Sequence, residues 1–224
     1  MSHLKNSELR GDLGHLLKAS YLPQKEAKEK LKHHGYNYDN ELSKMDTKVL
    51  VDKKGNPVIL HRGSKTARDW LDDGLLAVGL EKYSKRFQDA KEITKKAEAK
   101  YNKPAHSVGH SLGGSIAEKS NNSGNIISYN KGVGLGDIGK KKNSNRQLDV
   151  MTNGDIVSLL GHTQNSNKET VKNKNYNPLS YIHNAFNAHK TDNLFFNPPD
   201  RINELIPKDY EDTDLNDLSD SPII

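Results

Sequence analysis

Apolar positions along the chain switch between two spacings, and the switches mark its elements. From Glu8 to Ala19 the spacing is helical, and so is the Pro23-initiated stretch from Gln24 to His33, where Ala27 and Leu31 share a face. Gly35-Tyr36-Asn37 ends that region. Lys48 to Asp52 and Pro57 to Arg62 flank a turn at Lys53-Lys54-Gly55-Asn56 and read as a β-hairpin, whose second strand is rich in β-branched residues and runs into Gly63-Ser64. Helical spacing returns with Ala67, Trp70, Leu71, Leu75 and Val78, as far as Leu80. A charged helix is then predicted over Glu81 to Tyr101, with Phe87, Ala90, Ile93 and Ala97 along one stripe. Asn102-Lys103-Pro104 stops it.

Ala105 to Val108 forms a short strand entering Gly109-His110-Ser111-Leu112-Gly113-Gly114, and a helix follows through Ile116 and Ala117 to Lys119. Ile126 to Tyr129 and Leu148 to Met151 are two more strands, each after a helix or a loop. The middle of the chain therefore predicts a parallel sheet and the α/β class. The loop from Asn130 to Arg146 is rich in glycine and lysine, and the stretch from Thr163 to Asn177 reads as an asparagine- and lysine-rich excursion. The expected organisation is one domain: a helical segment over 1–47 packed on the core, an α/β core over 48–207, and an acidic, disordered tail over 208–224.

Composition narrows the chemistry. Among the 224 residues there is no cysteine, which removes disulfides, thiolate metal sites and a cysteine nucleophile. No His-Glu-x-x-His or comparable spacing occurs, so no metal and no other cofactor is expected. Catalysis would rest on oxygen and nitrogen groups. A net charge of +5 favours anionic partners such as an acidic phospholipid interface, whereas no recognised nucleic-acid motif accompanies it and no specific nucleic-acid partner is expected. No run approaches the roughly 18 apolar residues that would cross a bilayer, and Met1 to Asn6 leads into no apolar signal core. An intracellular or virion-associated location is therefore expected over classical secretion.

Gly-x-Ser-x-Gly matters because a serine on a strained strand-to-helix turn holds its hydroxyl above the sheet, while the next backbone N–H points at a developing oxyanion. The bare motif would arise by chance in roughly one chain in ten of this composition. Its setting between a strand and a helix, downstream of a strand ending His61-Arg62-Gly63-Ser64, raises its specificity. A hydrolase with such a turn orders its triad serine, acid, histidine, so the partners of Ser111 lie after it. Asp155, just past the Leu148–Met151 strand, is the first choice of acid over Asp137 and Asp149. An Asx-turn is its plain alternative role. The residues themselves leave three bases open: His162, His183 and His189. His110 is expected to pack beside the turn without transferring protons.

The joined pattern Val58-Ile59-Leu60-His61-Arg62-Gly63-Ser64, Asp69-Trp70-Leu71 and Gly-His-Ser-Leu-Gly-Gly resembles the class 3 (fungal-type) lipase family over about residues 48–195. The resemblance implies an α/β-hydrolase-like fold with a mostly parallel central sheet flanked by helices. It also implies a serine carboxylic-ester hydrolase acting on lipids, as a lipase or a phospholipase A1-like enzyme, through an acyl-enzyme. By the resemblance Ser111 is the nucleophile, Asp155 the acid and His189 the base. Ser64 and Leu112 would donate N–H groups to the oxyanion, and Trp70 and Leu71 would lie in a lid or acyl-binding wall. Ser64 could otherwise cap the helix that begins near Ala67, and Trp70 and Leu71 could be core. Two rival readings stand beside this one: a small-ester esterase, thioesterase or peptidase on the same turn, and a catalytically inactive hydrolase fold that binds a membrane or a partner.

Overall fold

A right-handed crossover between parallel strands drops its helix on a face fixed by the direction in which the sheet grows, and this sheet grows in one direction only. The computed structural model describes residues 3–64, 85–121, 123–133, 145–155, 157–158, 167–173 and 188–196. Among them, seven strands lie side by side in chain order: β1 (Asn37–Asp39), β2 (Thr47–Val51), β3 (Pro57–His61), β4 (His106–His110), β5 (Ile126–Tyr129), β6 (Gln147–Thr152) and β7 (Asn167–Val171). The first three form an antiparallel meander, and β3 to β7 run parallel. The architecture is α/β, a mostly parallel sheet flanked by helices.

The helices are α1 (Glu8–Gly11), α2 (Leu13–Tyr21), α3 (Gln24–His33), α4 (Lys85–Tyr101), α5 (Leu112–Ser120) and α6 (Asn193–Phe196), with a 3-10 turn at His3–Asn6 before them. Ile93 and Ala97 of α4 pack on Val49 and Ile59 of the sheet. The connections through α4 and α5 step the same way, so the rule puts both on one face and leaves the other bare. That second face carries Val58, Leu60, Val108, Ile127, Leu148 and Val150, and the N-terminal helices cover it with Leu13, Leu16 and Leu17 of α2 and Ala27 and Leu31 of α3. Burying each of these leucines contributes about 1.5–3 kcal/mol. The N-terminal layer is thus the second wall of the core.

Three departures from the sequence expectations have physical reasons. The helix expected over Glu8 to Ala19 breaks at Asp12, whose carboxylate accepts the Tyr36 hydroxyl at 2.9 Å. The stretch 1–47, read as helical, contains β1, and the excursion after Thr163 contains β7. Among the described residues both strands are sheet edges with polar sequences, Asn-Tyr-Asp and Asn-Lys-Glu-Thr-Val, and edge strands carry little of the alternating apolar signal. The buried Arg10 guanidinium fastens β7 by pairing with Glu169, with Nε 3.0 Å from Oε2. The tail 208–224 and residues 81–84 of the predicted charged helix lie outside the described residues. No described helix is long and apolar enough to cross a membrane.

Candidate active site

Parallel strands end on a common edge, and ligands of open α/β sheets bind beyond that edge. Here it gathers His61 to Ser64 at the end of β3, Ser111 after β4, Tyr129 to Lys131 at the end of β5 and Asp155 after β6. Ser111 sits between β4 and α5 with φ 55° and ψ −125°. A non-glycine residue in that conformation costs on the order of 1–3 kcal/mol and persists only where its surroundings hold it. They do: its N–H donates to the Tyr129 carbonyl at 3.0 Å, and its own carbonyl accepts the N–H groups of Gly114 and Gly132 at 2.9 and 3.1 Å. A Cβ at Gly109 would stand 2.6 Å from the Gly114 nitrogen, so strand and helix can approach this closely only with glycine there.

Asp155 and His189, 34 residues apart, meet with Oδ1 3.0 Å from Nδ1. The Asp155 carboxylate also accepts the N–H groups of Val157 at 3.2 Å and Ser158 at 3.0 Å. It therefore shapes an Asx-type turn and faces the imidazole at once. Ser111, Asp155 and His189 are 3%, 4% and 5% exposed, which keeps bulk water from competing for these contacts.

Sequence reasoning missed the residues that hold the segment carrying His189. Three consecutive carbonyls are each caught by a side chain from a neighbouring strand end. Asn130 Nδ2 donates to Ala188 at 2.7 Å, His110 Nε2 faces His189 O at 2.9 Å, and the Tyr129 hydroxyl donates to Lys190 at 2.9 Å. Asn130 has φ 43°, a left-handed conformation that asparagine tolerates, and its Oδ1 accepts the Thr152 N–H at 2.8 Å. The one sequence signal was Tyr-Asn closing a strand. Behind α5, Lys131 donates to Glu118 at 2.6 Å and Asp149 at 3.0 Å. Burial pulls its pKa down, but the two carboxylates outweigh that and hold it above the usual value.

The strand end expected to serve the oxyanion lies against the turn. A Cβ on Gly63 would be 3.2 Å from Ser111 Cβ and 2.8 Å from the His110 carbonyl. Arg62 is fixed beside it: its Nη2 donates to Asp46 at 2.6 Å, and its carbonyl accepts Arg86 Nη2 at 2.5 Å. Ser64 follows directly. Trp70, Leu71, His162 and His183 lie outside the described residues.

The family of phospholipase-like proteins described as the Tle-like phospholipase domain matches residues 18–130. The chain belongs to that family. The Tle-like match runs from within α2 through β5 and takes in Gly63, Ser111 and Asn130, whereas Asp155 and His189 lie beyond it. This relationship is to phospholipase-like hydrolases, a coarser kinship than the class 3 lipase resemblance of the motifs. No curated protein matches the chain.

Proposed function

We propose that this Tle-like domain is a serine hydrolase of phospholipid esters with an α/β-hydrolase fold, in which Ser111 is the nucleophile, His189 the base and Asp155 its partner. The observation that carries the reading is the 3.0 Å contact between Asp155 and His189 on the same sheet edge as the strained Ser111 turn. Because the Asp155 carboxylate accepts, Nδ1 of His189 carries the proton and Nε2 is left as the base. The Ser111 proton passes to Nε2 as Oγ attacks the ester carbonyl carbon. The oxyanion takes N–H groups from Leu112 and Ser64. Leu112 opens α5, so its N–H has no acceptor within the helix, and the helix dipole adds positive potential there. The carbon–oxygen bond then breaks, and the leaving alcohol takes the proton from Nε2. Water next gives a proton to Nε2 and attacks the acyl carbon, and the bond from that carbon to Oγ breaks as Nε2 returns the proton to Ser111, releasing the fatty acid and the free serine. One oxyanion donor is typically worth about 3 kcal/mol.

The family and the positive net charge support a phospholipid substrate presented at an anionic interface. Within this reading the activity is phospholipase A1-like, and Trp70 and Leu71 contact the acyl chain. The test is labelling by a fluorophosphonate probe together with fatty-acid release from mixed-acyl phosphatidylglycerol vesicles. Wild-type protein should be labelled and release the sn-1 chain, and Ser111→Ala should do neither. Labelling that survives Ser111→Ala would sink the assignment, and release of the sn-2 chain alone would sink the A1-like part of it.

A further inference from the structure

Three segments far apart in sequence meet at the ring of His110. Its Nε2 lies 2.9 Å from the carbonyl of His189, and its Nδ1 lies 2.7 Å from the hydroxyl of Tyr21, the last residue of α2. That hydroxyl in turn accepts the N–H of Gly63 at 3.1 Å. A carbonyl can only accept, so Nε2 must carry a proton. Burial drives the His110 pKa down to about 3, which leaves the ring neutral with that one proton. Nδ1 is then a bare acceptor, and the Tyr21 hydroxyl must donate to it. Burial likewise pushes the Tyr21 hydroxyl up to about 12, so it keeps the proton it donates. The chain of donors runs one way only, from Gly63 N–H to Tyr21 to His110, while His110 Nε2–H donates to the backbone of His189.

The ring is also wedged in place. It stacks on Tyr129 with centroids 5.6 Å apart and lies 4.7 Å from the His189 ring. The helix that supplies Tyr21 touches the far side of the base segment as well, where Lys18 pairs with Asp192 at 2.9 Å and sits 4.6 Å from the centre of the Phe195 ring.

We propose that Tyr21 is a positioning residue that holds the oxyanion strand and the base segment in register through His110, which makes the N-terminal helical layer part of the catalytic unit. The proposal rests on the roles given above to Ser111 and His189. Gly63 precedes the oxyanion donor Ser64, and His189 O belongs to the base itself, so one phenol oxygen sets the spacing between the group that takes the proton and the group that takes the charge.

Tyr21→Phe removes that oxygen and keeps the ring. Its kcat on p-nitrophenyl butyrate and its rate of fluorophosphonate labelling should fall about tenfold or more, with KM within about twofold of wild type, because misplacement weakens transition-state contacts more than substrate binding. Combined with His110→Gln, the loss should be no greater than that of the worse single variant. Nitrogen-15 spectra of the wild-type ring should show His110 protonated at Nε2 and neutral at pH 7, whatever the state of the activity. A Tyr21→Phe protein that reacts at the wild-type rate would overturn the proposal, as would losses that multiply in the double variant or a wild-type ring protonated at Nδ1. Wild-type protein that the probe leaves unlabelled would overturn the hydrolase reading instead, and the ring spectrum would still decide whether the Tyr21–His110 contact is made as described.

Discussion

The carbonyl of His61 occupies the space into which a Cβ on Gly113 would project, with the carbonyl carbon only 2.7 Å from that position. At this point the end of β3 and the start of α5 meet main chain to main chain. Gly113→Ala should therefore destabilise the fold by about 1–3 kcal/mol or more, because the clash is with main chain that cannot rotate away. Urea unfolding checks this. A midpoint unchanged from wild type would mean that β3 and α5 stand further apart than described.

Asp155→Asn should reduce kcat on the order of 10⁴-fold if the carboxylate holds the imidazole in its working tautomer. Ser111→Ala and His189→Ala should each abolish most activity, and the double variant should be little worse than either, since the groups act as a unit. Steady-state assays on short esters measure all four. Losses that multiply would argue against a shared mechanism.

Acid should weaken the protein through its buried histidines. Burial lowers His61 and His110 to about 3, against an ordinary value of 6.5 in the unfolded chain. As pH falls below 6.5 the unfolded state binds protons that the folded state refuses. Stability is therefore full above that pH and is lost toward pH 3, by about 1.4 kcal/mol per pH unit for each histidine. Among the described residues neither ring nitrogen of His61 has a hydrogen-bond partner. His61→Leu should therefore remove one such increment from the slope without breaking a bond. Urea midpoints at several pH values between 7.5 and 4 supply the comparison, and a slope equal to that of wild type would contradict the assignment.

Asn130→Asp keeps the acceptor for Thr152 but sets a carboxylate against the Ala188 carbonyl. Displacing the base segment by even an ångström costs about a hundredfold in rate. The variant should lose activity on that scale while its thermal midpoint falls only modestly. Activity at the wild-type level would show that the grip on Ala188 is dispensable.

What could be read in advance follows from how locally each feature is determined. The Ser111 turn was legible because close approach of β4 and α5 demands glycine at fixed offsets, and β5 because a buried parallel strand is a continuous apolar run, Ile126-Ile127. β1 and β7 were not, since their sequences are polar and carry no apolar run. Asp155 stood out as an acid just past a strand. His189 did not stand out from His162 and His183, because its place depends on Asn130, His110 and Tyr129, between 59 and 79 residues away. The role of α2 in the site was equally hidden, as a tyrosine at a helix end carries no motif.

The grip on residues 188–190 closes on main-chain oxygens, which every amino acid possesses. It is therefore indifferent to the exposed side chain at 190, whereas the buried position at 188 still demands a small one. Among relatives, identity should concentrate at the three gripping side chains, at the histidine and at the small residue before it, while the exposed residue after it drifts. An alignment anchored on the residue after His189 would then slide past it, whereas one anchored on the close of β5 would find it.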